Sequence, residues 1–201
     1  MRRLILASTS PYRKLLLERL ELPFDVVAPD VEETAAPGET PHALAARLAA
    51  EKADSVTASD AIVIGSDQVA SVNGRVLRKP GTHDRALRQL SACQGRTAVF
   101  DTAAAIVDKR NGKRWQTTDR TEVEFAELDD NVLDAYLRRE QPYDCAGGFK
   151  AEGLGISLFG RIRSDDPTAL LGLPLIWVAR TLAEAGLDPL GTAGVDPNDK
   201  P

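Results

Sequence analysis

The first third of the chain alternates between short apolar runs and segments with helical spacing. The apolar run from Arg3 to Ala7 predicts a first strand that leads directly into a turn. Ser10 is a good N-cap and Pro11 stands at the first helical position, so a helix is expected over the segment SPYRKLLLERL. The run from Phe24 to Ala28 predicts a second strand, and the proline-rich, acidic stretch after it is expected to be a loop.

The next predicted helix carries a lysine where its pattern favours an apolar residue. Thr40 is the expected N-cap, and the helix begins at Pro41. Leu44, Leu48 and Lys52 are spaced four residues apart, so all three lie on one stripe of the helix. Either Lys52 lies along the apolar surface with its ammonium group in water, or its charge has a function inside the protein.

The rest of the pattern predicts a mixed sheet with helices on it. Turns are expected at Asn73-Gly74 and at Asn111-Gly112, the second within a long antiparallel hairpin. A helix from Asp130 to Glu140 would bury Val132, Leu133, Tyr136 and Leu137. Further predicted elements are a strand at 60–72, a helix at 83–92, a strand at 156–162 and a closing helix at 174–186. The predicted fold class is α/β, with a mixed sheet rather than a plain doubly wound one.

Length and composition are those of one globular domain, expected to cover residues 1–190 and to be followed by a flexible tail at 191–201. The chain has 201 residues, of which 43% are hydrophobic and 27% are charged. Its 25 basic and 30 acidic residues give a net charge of −5, which argues against bulk binding to nucleic acid or to an anionic membrane. A local basic cleft for a small anion is compatible with that balance.

The N-terminus and the cysteines indicate a cytoplasmic protein. The apolar run at Leu4 to Ala7 is shorter than the roughly 7–15 residues that an export signal needs. Cys93 and Cys145 show no CxxC spacing, and although one disulfide is arithmetically possible, two free thiols are expected. No dinucleotide or P-loop glycine motif follows a predicted strand.

Four polar segments interrupt the core pattern and are candidates for chemistry. Ser8 to Lys14 joins a strand to a helix, where hydroxyls and backbone N–H groups form an anion site, although a capped surface helix is the simpler alternative. Asp67 follows the buried run AIVI and is expected at a strand end, as a metal ligand, a general base or an ordinary turn residue. The turn Arg78 to Gly81 presents a cation, and the glycine-dense loop 147–155 carries Lys150 and Glu152.

Together with Glu33, these segments supply several cations and two acids, a set suited to the hydrolysis of a polyphosphate. The order of seven motifs resembles the Maf family of nucleoside triphosphate pyrophosphatases, over about residues 3–190. The motifs are LILASTSPYR, VEET, LAAEKA, GSDQV, RKP, CAGGFKAEG and GLPL. The resemblance implies an elongated mixed sheet with flanking helices, two lobes around a central cleft and a homodimer. It also implies hydrolysis between the α and β phosphates with a divalent cation, Mg²⁺ or Mn²⁺.

The same resemblance implies roles for individual residues. Asp67 matches the proton acceptor, and Glu33 matches an acid that binds metal or water, so that Glu33 and Asp67 are the expected metal ligands. The positions expected to hold the triphosphate are Ser8, Arg13, Lys52 and Lys79.

Three further positions resemble the subgroup of the family that acts on 7-methyl-GTP rather than on dTTP and UTP. They are Tyr12, Gln68 and Glu152, and Tyr12 stands where that subgroup often has tryptophan. An aromatic face suits a cationic methylated ring, and an acid suits the donors of guanine. The alternatives are a pyrophosphatase for dTTP, UTP or other non-canonical nucleotides, and a nucleotide-binding regulator of cell division.

Overall fold

The computed structural model describes residues 2–191 and contains a seven-stranded mixed sheet with five α-helices packed on it. The predicted tail lies outside the described residues, apart from residue 191. The strands are β1 (Arg3–Ala7), β2 (Asp25–Val27), β3 (Ala61–Val72), β4 (Arg75–Leu77), β5 (Thr97–Asp108), β6 (Arg114–Phe125) and β7 (Phe159–Arg163). The helices are α1 (Pro11–Glu18), α2 (Pro41–Ser55), α3 (His83–Cys93), α4 (Asp130–Glu140) and α5 (Leu175–Glu184).

The strand order confirms the predicted α/β class with a mixed sheet. The order is β2-β1-β3-β5-β6-β7, and β4 pairs with β3 beside this path. The pairs β1–β2 and β1–β3 are parallel, whereas every other pair is antiparallel. Strands β5 and β6 form the predicted long hairpin, which makes up the middle of the sheet.

One edge of strand β3 pairs with two different strands in succession. The predicted functional residues Asp67 and Gln68 lie between the two paired segments. On this edge β1 pairs with β3 as far as Gly65, and β4 pairs with it from Ala70 onward. The other edge is paired with β5 from Ile62 to Val72. Within the described residues, positions 66–69 therefore have a strand partner on one side only, which leaves a gap in the sheet.

This arrangement corrects the prediction that Asp67 ends a strand. Asp67 lies near the middle of β3, and its strand partner on β5 is Ala103. The apolar run before it is only the half of β3 that pairs with β1. The strand continues through polar residues because β5 supplies hydrogen bonds along its whole length.

Three apolar clusters hold the helices on the sheet. One lies between α2 and strands β1, β3 and β5. The second lies under α1 and α5 and includes the alternate side chains of the same strands. The third joins α3, α4 and the loop after α4 to the far part of the hairpin. Whether the molecule functions as two lobes of one domain stays a prediction.

Two local predictions are wrong. Val132 is 48% exposed, because Leu133, Tyr136 and Leu137 already complete the buried stripe of α4 and Val132 lies to one side of it. Residues 156–158 belong to a 3₁₀ helix at Leu154–Leu158, and β7 begins only at Phe159.

The cysteines are free thiols, as predicted. Cys93 is buried, and burial raises its pKa to about 11. Cys145 is partly buried, and burial followed by Asp144 raises its pKa to about 11 as well. Among residues 2–191, no helix combines the length and apolarity that crossing a membrane requires.

Candidate functional site

A cavity of about 470 Å³ opens at the gap in the sheet beside residues 66–69 of β3. It is lined by every residue to which the family resemblance gives a role. These residues are Ser8, Tyr12, Arg13, Glu33, Lys52, Asp67, Gln68, Lys79 and Glu152. They come from turns, helices and a strand that are distant in the sequence, so their meeting is a property of the fold. The individual roles stay predictions.

The turn between β1 and α1 places two hydroxyls and a guanidinium group at one end of the cavity. The Ser8 hydroxyl accepts a hydrogen bond from the Ser10 backbone, and the Ser10 hydroxyl caps α1 at the Arg13 N–H. The Arg13 side chain is held by a hydrogen bond of 2.9 Å from Nε to the carbonyl oxygen of Gly172. Arg13 lines the cavity, where a guanidinium group suits an anion.

The lysine on the stripe of α2 is buried between two carboxylates. Lys52 Nζ lies 2.5 Å from Asp67 Oδ1 and 2.6 Å from Glu33 Oε1. The Lys52 side chain is only 6% exposed, whereas that of Glu33 is 63% exposed. Lys52 can approach β3 closely because Gly65 has no side chain and lets α2 pack directly on the strand.

Burial and neighbouring charges have opposite effects on the pKa values of Asp67, Glu33 and Arg13. Burial raises the pKa of Asp67, while the Lys52 and Arg13 charges oppose that increase. A hydrogen bond from Lys52 lowers the pKa of Glu33, and burial opposes it. Burial also lowers the pKa of the Arg13 guanidinium, and Asp67 and Glu33 act against that change. Asp67 therefore gains basicity, and Glu33 stays ionised.

The turn that carries Lys79 is fixed to the loop after α4. The Gly81 N–H donates to the Tyr143 carbonyl oxygen at 2.9 Å. Pro80 is buried and lies within van der Waals distance of the position that a side chain at Gly148 would take. His83 adds a contact of 3.1 Å between Nδ1 and the Tyr143 hydroxyl. Lys79 itself is exposed and lines the cavity.

Tyr12 and Glu152 form a different end of the cavity, together with Asp144 and Cys145. Burial, Cys145 and Glu152 together raise the pKa of the Tyr12 hydroxyl to about 12. Two of the four residues are acidic, and both of these are exposed. This end therefore offers negative charge beside an aromatic ring.

Two side chains of α4 hold the loop that carries Glu152. The Tyr136 hydroxyl accepts a hydrogen bond from the Lys150 N–H at 3.1 Å. Glu140 Oε2 accepts one from the Leu154 N–H at 2.8 Å. Gly155 packs against the Lys150 carbonyl, so the loop closes on itself at a place where a side chain would not fit.

Comparison with known proteins places the chain in a family. The sequence profile described as Maf-like protein matches residues 3–185. The chain belongs to the Maf family. A relative from Polaromonas sp. (strain JS666 / ATCC BAA-500), named 7-methyl-GTP pyrophosphatase, is 52% identical over 98% of this chain and 90% of its own.

Other Maf relatives carry the same name. The protein from Xanthomonas axonopodis pv. citri (strain 306) is 56% identical, over 92% of this chain and 98% of its own length. The protein from Burkholderia thailandensis is also 56% identical, over 92% of this chain and 88% of its own. Among solved structures, a HAM1 protein from Coxiella burnetii superposes with a TM-score of 0.45 and 18% identity, over 64% of this chain and 75% of its own.

Gln68 lines the cavity of this Maf protein, but its amide nitrogen already donates hydrogen bonds within the protein. Nε2 donates to Thr102 Oγ1 at 2.9 Å and lies 3.0 Å from the carbonyl oxygens of Ala169 and Leu170. Gln68 thus holds the 3₁₀ turn at Ala169–Leu171 in place. Any contact of its side chain with a base would come from the amide oxygen.

Sequence reasoning missed several residues that support the Maf site. The Ser66 hydroxyl is buried and lies within hydrogen-bonding distance of the Ala103 and Gly172 carbonyl oxygens. The carbonyl oxygen of Gly172 thus accepts hydrogen bonds from both Ser66 Oγ and Arg13 Nε. The φ of Gly172 is 108°, a value that favours glycine. The sequence pattern predicts only a core role for Tyr136 and a place at the end of α4 for Glu140. Two of the sequence motifs contain supporting residues, since GSDQV includes Ser66 and GLPL includes Gly172.

Glu33 and Asp67 are the Maf residues that fit a divalent cation. Their oxygens share one ammonium group and so lie within about 5 Å of each other. Within the part of the chain that the structure describes, no group of three or more metal-binding side chains occurs. Two carboxylates suit Mg²⁺ when substrate phosphates supply further oxygens. The donors therefore fit a cation bound together with a nucleotide.

Proposed function

We propose that this protein hydrolyses 7-methyl-GTP to 7-methyl-GMP and pyrophosphate, and so removes a modified nucleotide from the cell. The curated relatives that share 52–56% of its residues over nearly the full chain carry the name of that activity. The proposal also follows from the chemistry of the cavity, considered first at its phosphate end and then at its base end.

One observation carries the assignment to phosphoanhydride hydrolysis. A buried carboxylate, Asp67, lies against the buried ammonium of Lys52, and both face a cavity that also receives Arg13 and Lys79. A protein that only binds a nucleotide has no need for a basic carboxylate among the cations. A hydrolase needs one, because water must lose a proton as it attacks phosphorus.

In the proposed reaction Asp67 accepts the proton of the attacking water. Its raised pKa makes it a better base than an ordinary aspartate. Arg13 and Lys79 hold the phosphates, Ser8 donates from the β1–α1 turn, and Lys52 neutralises charge next to Asp67. A divalent cation bound by Glu33, Asp67 and the phosphates would supply further charge neutralisation for the leaving pyrophosphate.

The distribution of charge favours a cationic base at the other end. The phosphate end presents Arg13, Lys52 and Lys79, whereas Glu152 and Asp144 lie beside Tyr12. Methylation of guanine at N7 makes the ring positive, and an aromatic face with adjacent carboxylates attracts such a ring. Glu152 is also an acceptor for the N–H groups of guanine, which pyrimidines lack in that arrangement.

The test is pyrophosphate release across a panel of nucleotides with Mg²⁺ or Mn²⁺ present. We expect 7-methyl-GTP to be cleaved better than GTP, and far better than dTTP or UTP. The matched control is the triphosphate of 7-methyl-7-deazaguanosine, which keeps the methyl group and loses the charge. It should behave like GTP. Preference for dTTP or UTP would refute the substrate proposal and support the pyrimidine alternative.

We further propose that the protein is a cytoplasmic homodimer that needs the divalent cation. The dimer and the metal requirement rest on the family resemblance. The acidic net charge gives no support to binding of nucleic acid or membranes. Sedimentation would give the oligomeric state, and loss of pyrophosphate release in excess chelator would test the metal requirement.

A further inference from the structure

Lys52 occupies the space between the two carboxylates that are expected to bind metal. Its ammonium lies within 2.6 Å of both Glu33 Oε1 and Asp67 Oδ1. The lysine is buried, and its position is set by α2, which packs directly on β3 at Gly65. In the free protein, therefore, Glu33 and Asp67 already share one positive charge that belongs to the chain itself.

A divalent cation shared by both carboxylates would need the same space. Mg²⁺ and Mn²⁺ bind carboxylate oxygens at about 2.0–2.2 Å, a shorter distance than either contact of Lys52. An ammonium group and a divalent ion between the same two oxygens would repel each other strongly at such a short separation. Lys52 must leave its present position before both carboxylates can bind one metal ion.

A polyphosphate provides the reason for Lys52 to leave. Lys52 lines the same cavity as Arg13 and Lys79, so its flexible stem can direct the ammonium to a phosphate oxygen without leaving the cavity. The phosphates also supply the ligands that two carboxylates alone do not give to the metal.

We propose that Lys52 is a resident counter-ion that keeps the free protein from binding a divalent cation, and that a bound nucleotide removes this block by attracting the ammonium group. The inference rests on the proposed function only for the identity of the nucleotide. Metal and nucleotide should then bind cooperatively, and Lys52 should contact a carboxylate pair in the free protein and a phosphate in the complex.

The first experiment measures Mn²⁺ binding to the intact protein by electron paramagnetic resonance. The protein alone should bind Mn²⁺ weakly. Adding the α,β-methylene analogue of GTP, which resists cleavage at the relevant bond, should raise the affinity by about tenfold or more. A titration of the analogue without protein gives the baseline for Mn²⁺ held by the nucleotide alone.

The second experiment removes the counter-ion. In Lys52→Met the two carboxylates lose their shared partner, so the free protein should gain Mn²⁺ affinity by about tenfold or more at mildly alkaline pH. Lys79→Met removes a cation from the same cavity without breaking a contact to Glu33 or Asp67, and should gain much less. Mn²⁺ should also raise the melting temperature of Lys52→Met more than that of the wild type.

Tight Mn²⁺ binding to the free wild-type protein would overturn the proposal, and so would a Lys52→Met protein that gains no affinity. Circular dichroism establishes that the variant is folded, and the wild-type titration remains decisive if it is not. These outcomes are separate from the proposed function, because Mn²⁺ binding is measured without turnover. Failure to cleave any nucleotide would refute the proposed hydrolase activity, and the Mn²⁺ binding data would still test the role of Lys52.

Discussion

The two ends of the cavity are built in different ways. The phosphate wall is defined as Ser8, Arg13, Lys52 and Asp67, which lie in the turn after β1, on α1, on α2 and on β3. Three of its four residues are buried, and each is fixed by a hydrogen bond or ion pair. The base wall is Tyr12, Asp144, Cys145 and Glu152. Apart from Tyr12 it lies on the irregular chain after α4, and its two acids are exposed.

The contrast indicates which part of the reaction is fixed by the fold. Groups that move protons or neutralise phosphate must be held within fractions of an ångström, and regular elements do this best. Recognition of a base is less demanding, because a loop can adjust to the bound ligand. The loop that carries Glu152, which two side chains of α4 hold, is sufficient for this purpose. Damage to the phosphate wall should therefore affect all nucleotides, and damage to the base wall should affect the choice among them.

The largest effect is expected from Asp67→Asn. The amide keeps the shape of the side chain but does not accept a proton, so turnover should fall by about 10²-fold or more on every nucleotide. Steady-state pyrophosphate release and a melting curve would measure the effect on rate and on folding. A folded variant with near-normal turnover would remove Asp67 from the role of base.

Two glycine substitutions give a direct comparison of the walls. A side chain at Gly65 would overlap with the Ala49 carbonyl oxygen and push α2 away from β3. Gly65→Ala should cost about 1–3 kcal/mol in unfolding free energy and reduce activity on all nucleotides, because Lys52 and Asp67 separate. A side chain at Gly155 would overlap with the Lys150 carbonyl oxygen instead, so Gly155→Ala should mainly reduce selectivity.

Activity of both variants on 7-methyl-GTP, GTP and UTP separates the two effects. Gly160→Ala is a suitable control, because none of the three glycines has a positive φ and the nearest atom to the added carbon at Gly160 is the Glu124 carbonyl oxygen, at an ordinary contact distance of 3.8 Å. Equal loss of selectivity in Gly65→Ala and Gly155→Ala would contradict the distinction between the walls.

A smaller effect is expected from Glu152→Gln. The change removes a charge beside Tyr12 and replaces one acceptor oxygen with a donor. Loss of a charged hydrogen bond costs about 1.5–3 kcal/mol, so the preference for guanine over pyrimidine nucleotides should narrow by about tenfold or more. The ratio of kcat/KM values measures it. Since Glu152 is exposed, the melting temperature should change little.

The smallest expected effect is a displacement of the acidic limb of the pH profile. A proton acceptor works only while ionised, so activity is lost as the pH falls through the pKa of Asp67. Burial raises that pKa above the ordinary aspartate value of 3.8, and the limb of kcat/KM should lie correspondingly higher. Glu33, whose pKa is lowered mainly by Lys52, should not titrate there. A limb at or below the ordinary value would contradict the assignment.

Local signals in the sequence predict the phosphate wall better than the base wall. Ser10 and Thr40 cap α1 and α2 as expected, since an N-cap depends on residues only three positions away. Lys52 stands out because a charge on an apolar stripe breaks a periodic pattern. Such signals require no knowledge of the tertiary structure.

The features that the sequence does not reveal depend on distant contacts. The course of β3 past Asp67 is determined by β5, which begins 30 residues after Asp67. Tyr136 and Glu140 have an ordinary helical pattern, and nothing near them indicates that they hold the loop of Glu152. The family resemblance predicts that Tyr12, Gln68 and Glu152 act at one site. Their spacing in the sequence gives no reason to group them.

The bond from Arg13 to Gly172 also bears on the order of synthesis. The two residues are separated by 159 positions, so the ribosome makes almost the whole chain before the guanidinium group finds its acceptor. Contacts of such long range form late, because the loop between them must close first. A nascent chain can build β1, α1 and much of the sheet without a complete anion site. The cavity can therefore gain this fixed guanidinium group only after Gly172 has been made.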